Sequence, residues 1–480
     1  MKKTYKFIPI LVFVVITALS CKKQLELTPE DTVIELTNFK AINNALIGCY
    51  AGFKADGYYN NPASSGSGSG WSALPDLMGD DMVETMQSLG NWRVAGEMKY
   101  KSDNGIVLDV FGSAYEVISR ANNILQVIDP YIQDNLTKEK AQIIKAQLLA
   151  IRAHAHFDLL RYFAVDFGRN STNLGIPYVT KFNPVNPLAN LPPRNTVKEN
   201  YDAIFSDYNA SLTLFREAGD VDENPIRNYI DSTVVHAMLA RVNYYTSNWA
   251  EAAKQAEIVL ENNGLANESQ FLAMYSADGE KNPPTELVWA IPSDNALTPG
   301  AGINGRSPAF RVTESLYQKM NNLGGVYMDA SIINSSAANS VGFRRRRLQK
   351  YASIKSFKVF RAGEMVLIKA EAEQKLGNNV AALATLNELR TKRGLDEGTE
   401  TGSALLDAIL LLRRIELIGE GHRWFDLKRT TRNIVRGECG TAQFSLSTTC
   451  TIDPSSKAWV FPIPFNDKLV NPNLVQNPGY

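Results

Sequence analysis

Two stretches far apart in the chain superimpose on each other without a gap. Residues 232–263, STVVHAMLARVNYYTSNWAEAAKQAEIVLENN, and 363–394, GEMVLIKAEAEQKLGNNVAALATLNELRTKRG, overlaid at an offset of 130 residues, set Ala240, Asn248, Ala250, Ala252, Ala253 and Ala256 against Ala370, Asn378, Val380, Ala382, Leu383 and Leu386. Apolar residues recur three and four apart on either side of the asparagine, so each stretch predicts a helix, a short turn and a second helix. Small side chains at the facing positions let two helices approach closely, and such a hairpin cannot bury its apolar face alone. The chain is therefore constrained to stack helical pairs.

Further helical windows lie at 38–53, at 108–129 with Pro130 as the stop, and at 137–168. The last is the longest, with Thr137 and Lys140 permitting a start and Gly168 marking the end. The fold class is mostly α: tetratricopeptide-like helical hairpins form a scaffold, with a loop-rich ligand-binding portion inserted between helices. The full tetratricopeptide consensus and its regular spacing are absent, so the repeats are degenerate and embedded in a globular body. The connecting loops, roughly 54–107, 169–195 and 264–350, are rich in Gly, Ser, Asn, Pro and aromatic residues. Loops of that length generally carry function, and they are the expected working surface.

The amino-terminal stretch FIPILVFVVITALSCKKQLELTPED fixes the expected address. Lys2, Lys3 and Lys6 lead into an apolar run from Phe7 to Leu19, long enough for a secretory h-region and short of the roughly 20 apolar residues that cross a bilayer. Ala18-Leu19-Ser20-Cys21 resembles a bacterial lipobox, with its leucine one place later than usual. Cys21 is expected to carry acyl chains, which hold a protein at a membrane surface without a spanning segment. The expected division is a signal peptide over 1–20, a lipidated leash over 21–36 and a body over 37–480, whose N-terminal part runs to about 230 and C-terminal part from about 231. An exported location permits a disulfide between Cys439 and Cys450, which flank a Ser/Thr-rich loop. Cys49 sits in a helical pattern and is expected to be a buried thiol. With 50 basic and 50 acidic residues the chain has no global field to hold nucleic acid. The run Arg344 to Arg347 is the local exception and is expected to be surface or salt-bridged.

The C-terminal stretches LLDAILLLRRIELIGEGHRWFDLKRT (405–430) and AWVFPIPFNDKLVNPNLVQNPGY (458–480) resemble the closing motifs of the SusD/RagB family of outer-membrane nutrient-binding lipoproteins. AYEVISRANNIL (114–125), IRAHAHFDLLRYFAVDFG (151–168), PPRNTVKENYDAI (192–204) and FRAGEMVLIKAEA (360–372) extend the resemblance through the chain. One departure is Leu412-Arg413-Arg414-Ile415, where an acidic residue often precedes the arginines, so a local ion pair is expected to be missing. The resemblance implies a non-enzymatic lid over a SusC-like TonB-dependent transporter, lipid-anchored on the extracellular face of the cell outer membrane, that captures oligosaccharides or, in some branches, peptides. Arg423, Trp424, Asp426 and Arg429 are read as packing the C-terminal segment onto the helices.

Sugar binding needs a flat aromatic platform plus planar donors and acceptors. Tyr58, Tyr59, Trp71, Asn91, Trp92 and Arg93, all in loop-like chain, are the first expectation for it. Trp289, Arg306, Phe310, Arg311, Tyr317 and Tyr327 form a second region, although ELVWAIP reads as a buried strand with Trp289 in the core. Catalytic constellations are thin. His154 and His156 are two apart on a helix and point in different directions, so burial or backbone hydrogen bonding explains them better than a metal. Asp80, Asp81 and Glu84 could in principle serve a glycosidase, but acidic loops are usually solvated. No cofactor is expected, and an acidic loop leaves room only for a structural calcium. The competing classes are a scaffold that binds a partner protein and a surface hydrolase.

Overall fold

The structure, a computed structural model, describes residues 36 and 38–480 apart from 60–69, 86–87, 89, 91, 184–185, 187, 189–190, 222–223, 277–278, 280, 293–309, 336–345, 352–355 and 441–447. Cys21 and the leash as far as residue 35 therefore lie outside the described residues, as do Asn91, Arg306, Arg344 and Arg345. The elements run α1 (Phe39–Gly52), α2 (Leu74–Met78), β1 (Met82–Glu84), α3 (Arg93–Gly96), α4 (Gly105–Leu125), α5 (Asp129–Gln133), α6 (Lys138–Phe163), α7 (Val197–Ala218), α8 (Ser232–Tyr245), α9 (Trp249–Asn262) and α10 (Glu268–Ala273). They continue with β2 (Leu287–Ile291), β3 (Phe310–Val312), α11 (Glu314–Leu323), β4 (Phe357–Arg361), α12 (Ala362–Lys375), α13 (Asn379–Lys392), α14 (Gly402–Glu416), α15 (Arg423–Arg429), β5 (Ile434–Val435), β6 (Thr451–Ile452) and α16 (Phe465–Val470). Short antiparallel pairs β1–β3, β2–β4 and β5–β6 pin distant segments together.

Local chemistry starts the helices where the sequence places them. Asn38 accepts from the Ala41 amide at 2.9 Å at the head of α1, and Thr196 and Glu199 form a reciprocal capping box on α7. Pro130 ends nothing by itself: α4 stops at Leu125, and the proline sits in the first turn of α5, where its missing N–H is harmless. Helix α6 ends at Phe163, not Gly168. The Lys428 ammonium takes the Arg161 and Ala164 carbonyls at 2.9 and 2.7 Å, and Asp166 accepts from Gly168, Ser171 and Asn173 to turn the chain away. Lysine at a helix C-terminus satisfies orphan carbonyls and complements the dipole.

The two look-alike stretches form α8–α9 and α12–α13, and α9 packs on α12. Ala240, Ala252, Ala256, Ala370 and Ala382 are fully buried at these contacts, whereas the matched pair Ala250 and Val380 faces solvent. The hairpins are also joined by charge: the Arg241 guanidinium of α8 makes two hydrogen bonds to Glu364 of α12, at 2.8 and 2.6 Å.

Beneath them lies a buried cluster of three cations and three carboxylates, Lys350, Arg361 and Arg393 with Glu286, Glu416 and Glu420, each side chain at most 2% exposed. Arg361 donates to Glu420 at 2.8 Å, to Glu286 at 3.0 Å and to Glu416; Arg393 donates to Glu286 and Glu416, each at 2.8 Å. The Tyr327 and Tyr275 hydroxyls donate to Glu416 and Glu420 at 2.6 and 2.9 Å. Burial pushes the Glu416 carboxyl up, and Arg393 and Arg361 more than offset this, holding it well below the usual carboxylate range.

The closing motif supplies the rest of the frame. Trp424 is fully buried, stacked on Tyr162 at 5.4 Å and Trp459 at 5.8 Å. Arg413 and Arg414 do not lack acids: Arg413 pairs with Asp426 at 2.9 Å and Arg414 with Asp81, both from outside the local sequence. Arg346 is buried and salt-bridged to Glu438 at 2.7 Å. Cys49 is buried, which raises its thiol to about 12. Cys439 and Cys450 are joined in a disulfide with Cα atoms 5.1 Å apart, closing the β5–β6 hairpin. Replacing Glu416 by Gln strands buried guanidinium charge, which typically costs about 3–5 kcal/mol. The expected outcome is a clear drop in the urea midpoint; an unchanged midpoint would contradict a stabilising role for the cluster.

Candidate ligand-binding surface

The proposed aromatic shelf is not at the surface. Tyr58, Tyr59, Trp71 and Trp92 are all 5% exposed or less. The first three dock on one residue of α6: Tyr58 donates to the Asp158 carboxylate at 2.9 Å, Tyr59 sits 3.2 Å from the same oxygen, and the Trp71 indole N–H donates to the Asp158 carbonyl at 3.2 Å. The Tyr58 and Trp71 rings lie 4.3 Å apart, and Phe53 meets Tyr58 edge-on. An apolar body with one polar handle suits a buried site that supplies an acceptor, and Asp158 supplies it. Trp92 packs edge-on against Phe310 at 6.0 Å, while its backbone N–H donates to Glu84 at 2.9 Å. Of the six expected residues only Arg93 is exposed, at the head of α3, and Asn91 lies outside the described residues.

The second region fares similarly. Trp289 is fully buried in β2, as the strand pattern implies, and Phe310, Arg311, Tyr317 and Tyr327 are buried too. Large parts of the expected working loops are interior. Within 169–195, Gly175, Ile176 and Pro177 are buried, and Arg194 donates to the carbonyls of Gly175, Phe163, Leu174 and Val475.

Asp80 and Asp81, the carboxylates that suggest acid–base chemistry, are each paired with an arginine. Asp80 receives two hydrogen bonds from Arg423, at 2.6 and 3.0 Å, and Asp81 pairs with Arg414; Asp76 accepts from the Gly421 and Arg423 amides at 3.1 and 3.2 Å. These contacts staple α2 to α15 across more than 340 residues of sequence. Among the described residues no group of three or more His, Cys, Asp or Glu side chains comes together to hold a metal ion.

His156 illustrates how tightly α6 is specified. Its Nδ1–H donates to the Arg152 carbonyl at 2.8 Å, its Nε2 accepts from the Val179 amide at 3.0 Å, and its ring stacks on Tyr178 at 3.8 Å. Only the neutral ring satisfies both bonds. Burial, with the Arg152 charge adding to it, pushes the imidazole down to about 3, and burial lowers His154 to about 4.

The open surface lies elsewhere. A groove of about 620 Å³ runs between residues 97–101 and the C-terminal segment, with Lys99, Lys101, Thr451, Asp453, Lys457 and Tyr480 on its walls. Its volume is in the range of small-ligand sites. One wall is anchored by Glu97, which accepts from the Thr448 amide and from the hydroxyls of Thr448 and Thr449. Lys457 covers one face of the Tyr480 ring at 4.4 Å. The groove thus offers ammonium groups, hydroxyls, the carboxylates of Glu97 and Asp453 and a half-covered ring, a set suited to a hydroxyl-rich ligand. Sequence reasoning missed it because its walls are about 350 residues apart in the chain, and neither wall alone has a distinctive pattern.

Residues 285–480 match the model described as the SusD family, and residues 56–244 match a second model, described as starch-binding associating with the outer membrane. The chain belongs to the SusD family. Over 96% of both chains it is 23% identical to SusD-like protein P38 of Formosa agariphila. It shares 25% identity and a TM-score of 0.74 with a SusD superfamily protein of Bacteroides vulgatus, covering 92% of this chain and 99% of that one. A SusD-like carbohydrate binding protein from the same organism aligns with a TM-score of 0.72 at 21% identity, over 91% and 97% of the two chains. SusD-family members are binding proteins and not enzymes. The helical scaffold described above is the SusD fold, and the motif EGHRWFDLKR fastens it here: Glu420, Asp426 and Lys428 are buried, and Arg423 and Arg429 are salt-bridged to Asp80 and Glu371.

Two outcomes follow for the interior. Trp71→Ala is expected to cost about 3–5 kcal/mol, as large-to-small changes of buried aromatics do, and to lower the thermal midpoint sharply; a midpoint unmoved would return Trp71 to the surface. For pH, the folded His156 value lies below the roughly 6.5 of an unfolded histidine, so the unfolded chain takes up the proton first. Its stability is complete above about pH 6.5 and is lost at about 1.4 kcal/mol per pH unit as pH falls toward 3. Urea titrations at pH 7.5 and 5 should show a loss of stability to which His154 also contributes, and His156→Gln should reduce it; an equal slope in the variant would rule His156 out as a source.

Proposed function

We propose that this SusD-family protein binds oligosaccharide at the cell surface and delivers it to a SusC-like TonB-dependent transporter. The observation that carries the reading is the match of both parts of the chain to SusD-family models, one of them described as starch-binding and associating with the outer membrane. The naming of a similar fold as a carbohydrate binding protein supports it. A membrane position through acyl chains on Cys21 is consistent with the described helices, none of which is long and apolar enough to cross a membrane.

The physical scheme needs no covalent step. Sugar hydroxyls exchange water for protein partners at a net gain of about 0.5–1.5 kcal/mol per hydrogen bond, so affinity is modest and release to a transporter is cheap. The groove beside Lys101 and Asp453 is the described surface whose chemistry fits best, and its rigid wall, held by Glu97 and the disulfide-closed hairpin, limits the ordering cost of binding. Isothermal calorimetry with a panel of neutral oligosaccharides should give heat for at least one. Lys101→Ala with Asp453→Ala should then weaken that ligand roughly tenfold, about 1–2 kcal/mol for two lost hydrogen bonds, at an unchanged thermal midpoint. Unaltered affinity would move the binding surface away from this groove, and silence across the whole panel would sink the oligosaccharide reading.

A further inference from the structure

An apolar groove on the opposite kind of surface has no partner among the described residues. About 450 Å³ in volume, it runs between α1 and α6, floored by Phe39, Leu46, Ile143 and Ile144, and its wall residue Ile47 is 52% exposed. The ionisable groups lining it are Lys40 and Lys140, both exposed, with no acid beside them in the lining. Neither lysine makes an ion pair among the described residues. The chain enters the described body at this place: Leu36 is the first described residue, already packed on the core, and Asn38 caps α1 two residues later.

We propose that residues 24–35 of this same chain, QLELTPEDTVIE, dock in the groove. The segment carries Glu26, Glu30, Asp31 and Glu35 and no basic residue, against a rim of two lysines, and Leu25, Leu27, Val33 and Ile34 supply apolar side chains for the floor. Length agrees. Four extended residues back from Asn38 span about 13 Å, and α1 rises the same distance in about nine residues, which brings Ile34 alongside Ile47. Attachment by the chain itself makes the local concentration high, so weak contacts suffice.

The inference goes beyond nutrient binding and concerns how the body is held. With Cys21 acylated, the 15 residues 22–36 could reach about 50 Å from the membrane when undocked. Docking from residue 24 onward leaves two free, roughly 7 Å, and turns the groove face toward the bilayer. The segment is then a spacer of two lengths.

The test uses the full-length protein purified in detergent, with Ile34→Cys and Ile47→Cys introduced together. Cys49 is buried and Cys439 is bonded to Cys450, so a short bis-maleimide reports on the new thiols, with each single variant as control. Docking predicts a cross-link within one molecule. In hydrogen exchange of the unmodified protein, amides of 30–35 should be protected at least tenfold, and Ile47→Glu, at an already half-exposed position, should abolish that protection. Exchange at the rate of unstructured chain overturns the proposal. So do cross-links formed only between two molecules, which would assign the groove to a second copy.

Discussion

Three cations and three carboxylates in the interior set the terms for the C-terminal half of this protein. Lys350, Arg361, Arg393, Glu286, Glu416 and Glu420 are drawn from five separate segments, including the ends of β4, α13 and α14, and each side chain is at most 2% exposed. Each charge is tolerable only because the other five are in place with their hydrogen bonds made. The network therefore specifies one arrangement of strand and hairpins. A hydrophobic seam between Ala-rich helices would tolerate sliding by a turn, whereas a guanidinium fork shared between Glu286 and Glu416 does not. Around it, Arg241 with Glu364 and Arg429 with Glu371 repeat the device at the hairpin contact.

The helical scaffold was legible because period and residue size are local properties. Alanines four apart and an asparagine between two apolar runs predict a hairpin without knowledge of its neighbour, and the structure places α8–α9 and α12–α13 there. The surface was not legible for the converse reason. Tyr58, Tyr59 and Trp71 sit among Gly, Ser and Asn, and nothing within that stretch says whether the rings turn out to a ligand or in to Asp158, about 100 residues downstream. Arg413 and Arg414 present the same problem in charge: the missing local acid is replaced by Asp426 and Asp81, the latter 333 residues away. The sequence resemblance identified the family but gave no ligand residues, since the groove joins two walls that only the tertiary structure brings together.

The loop-rich portion consequently has two layers. Its inner layer, made of α2, β1, α3 and the buried aromatics, is part of the core and is stapled to the closing motif through Asp76, Asp80 and Arg436, whose guanidinium takes the Met78 and Gly79 carbonyls. Its outer layer is what remains for recognition. Binding side chains can vary there without touching the frame, and a fold kept at 23% identity over nearly the full chain is the expected result of that separation.

Residues 461–477 are woven onto the end of α6 and the segment that follows it. Phe461 hydrogen-bonds the Tyr162 carbonyl, Asn477 the Phe163 carbonyl, and Arg194 reaches Val475, contacts separated by 281 to 314 residues where the side chains bridge. Long-range contacts of this kind are made late, after much loop-closure entropy has been lost. The end of α6 is thus left open until residues 461–477 reach it, so this corner of the body sets only after a segment about 300 residues downstream has been delivered.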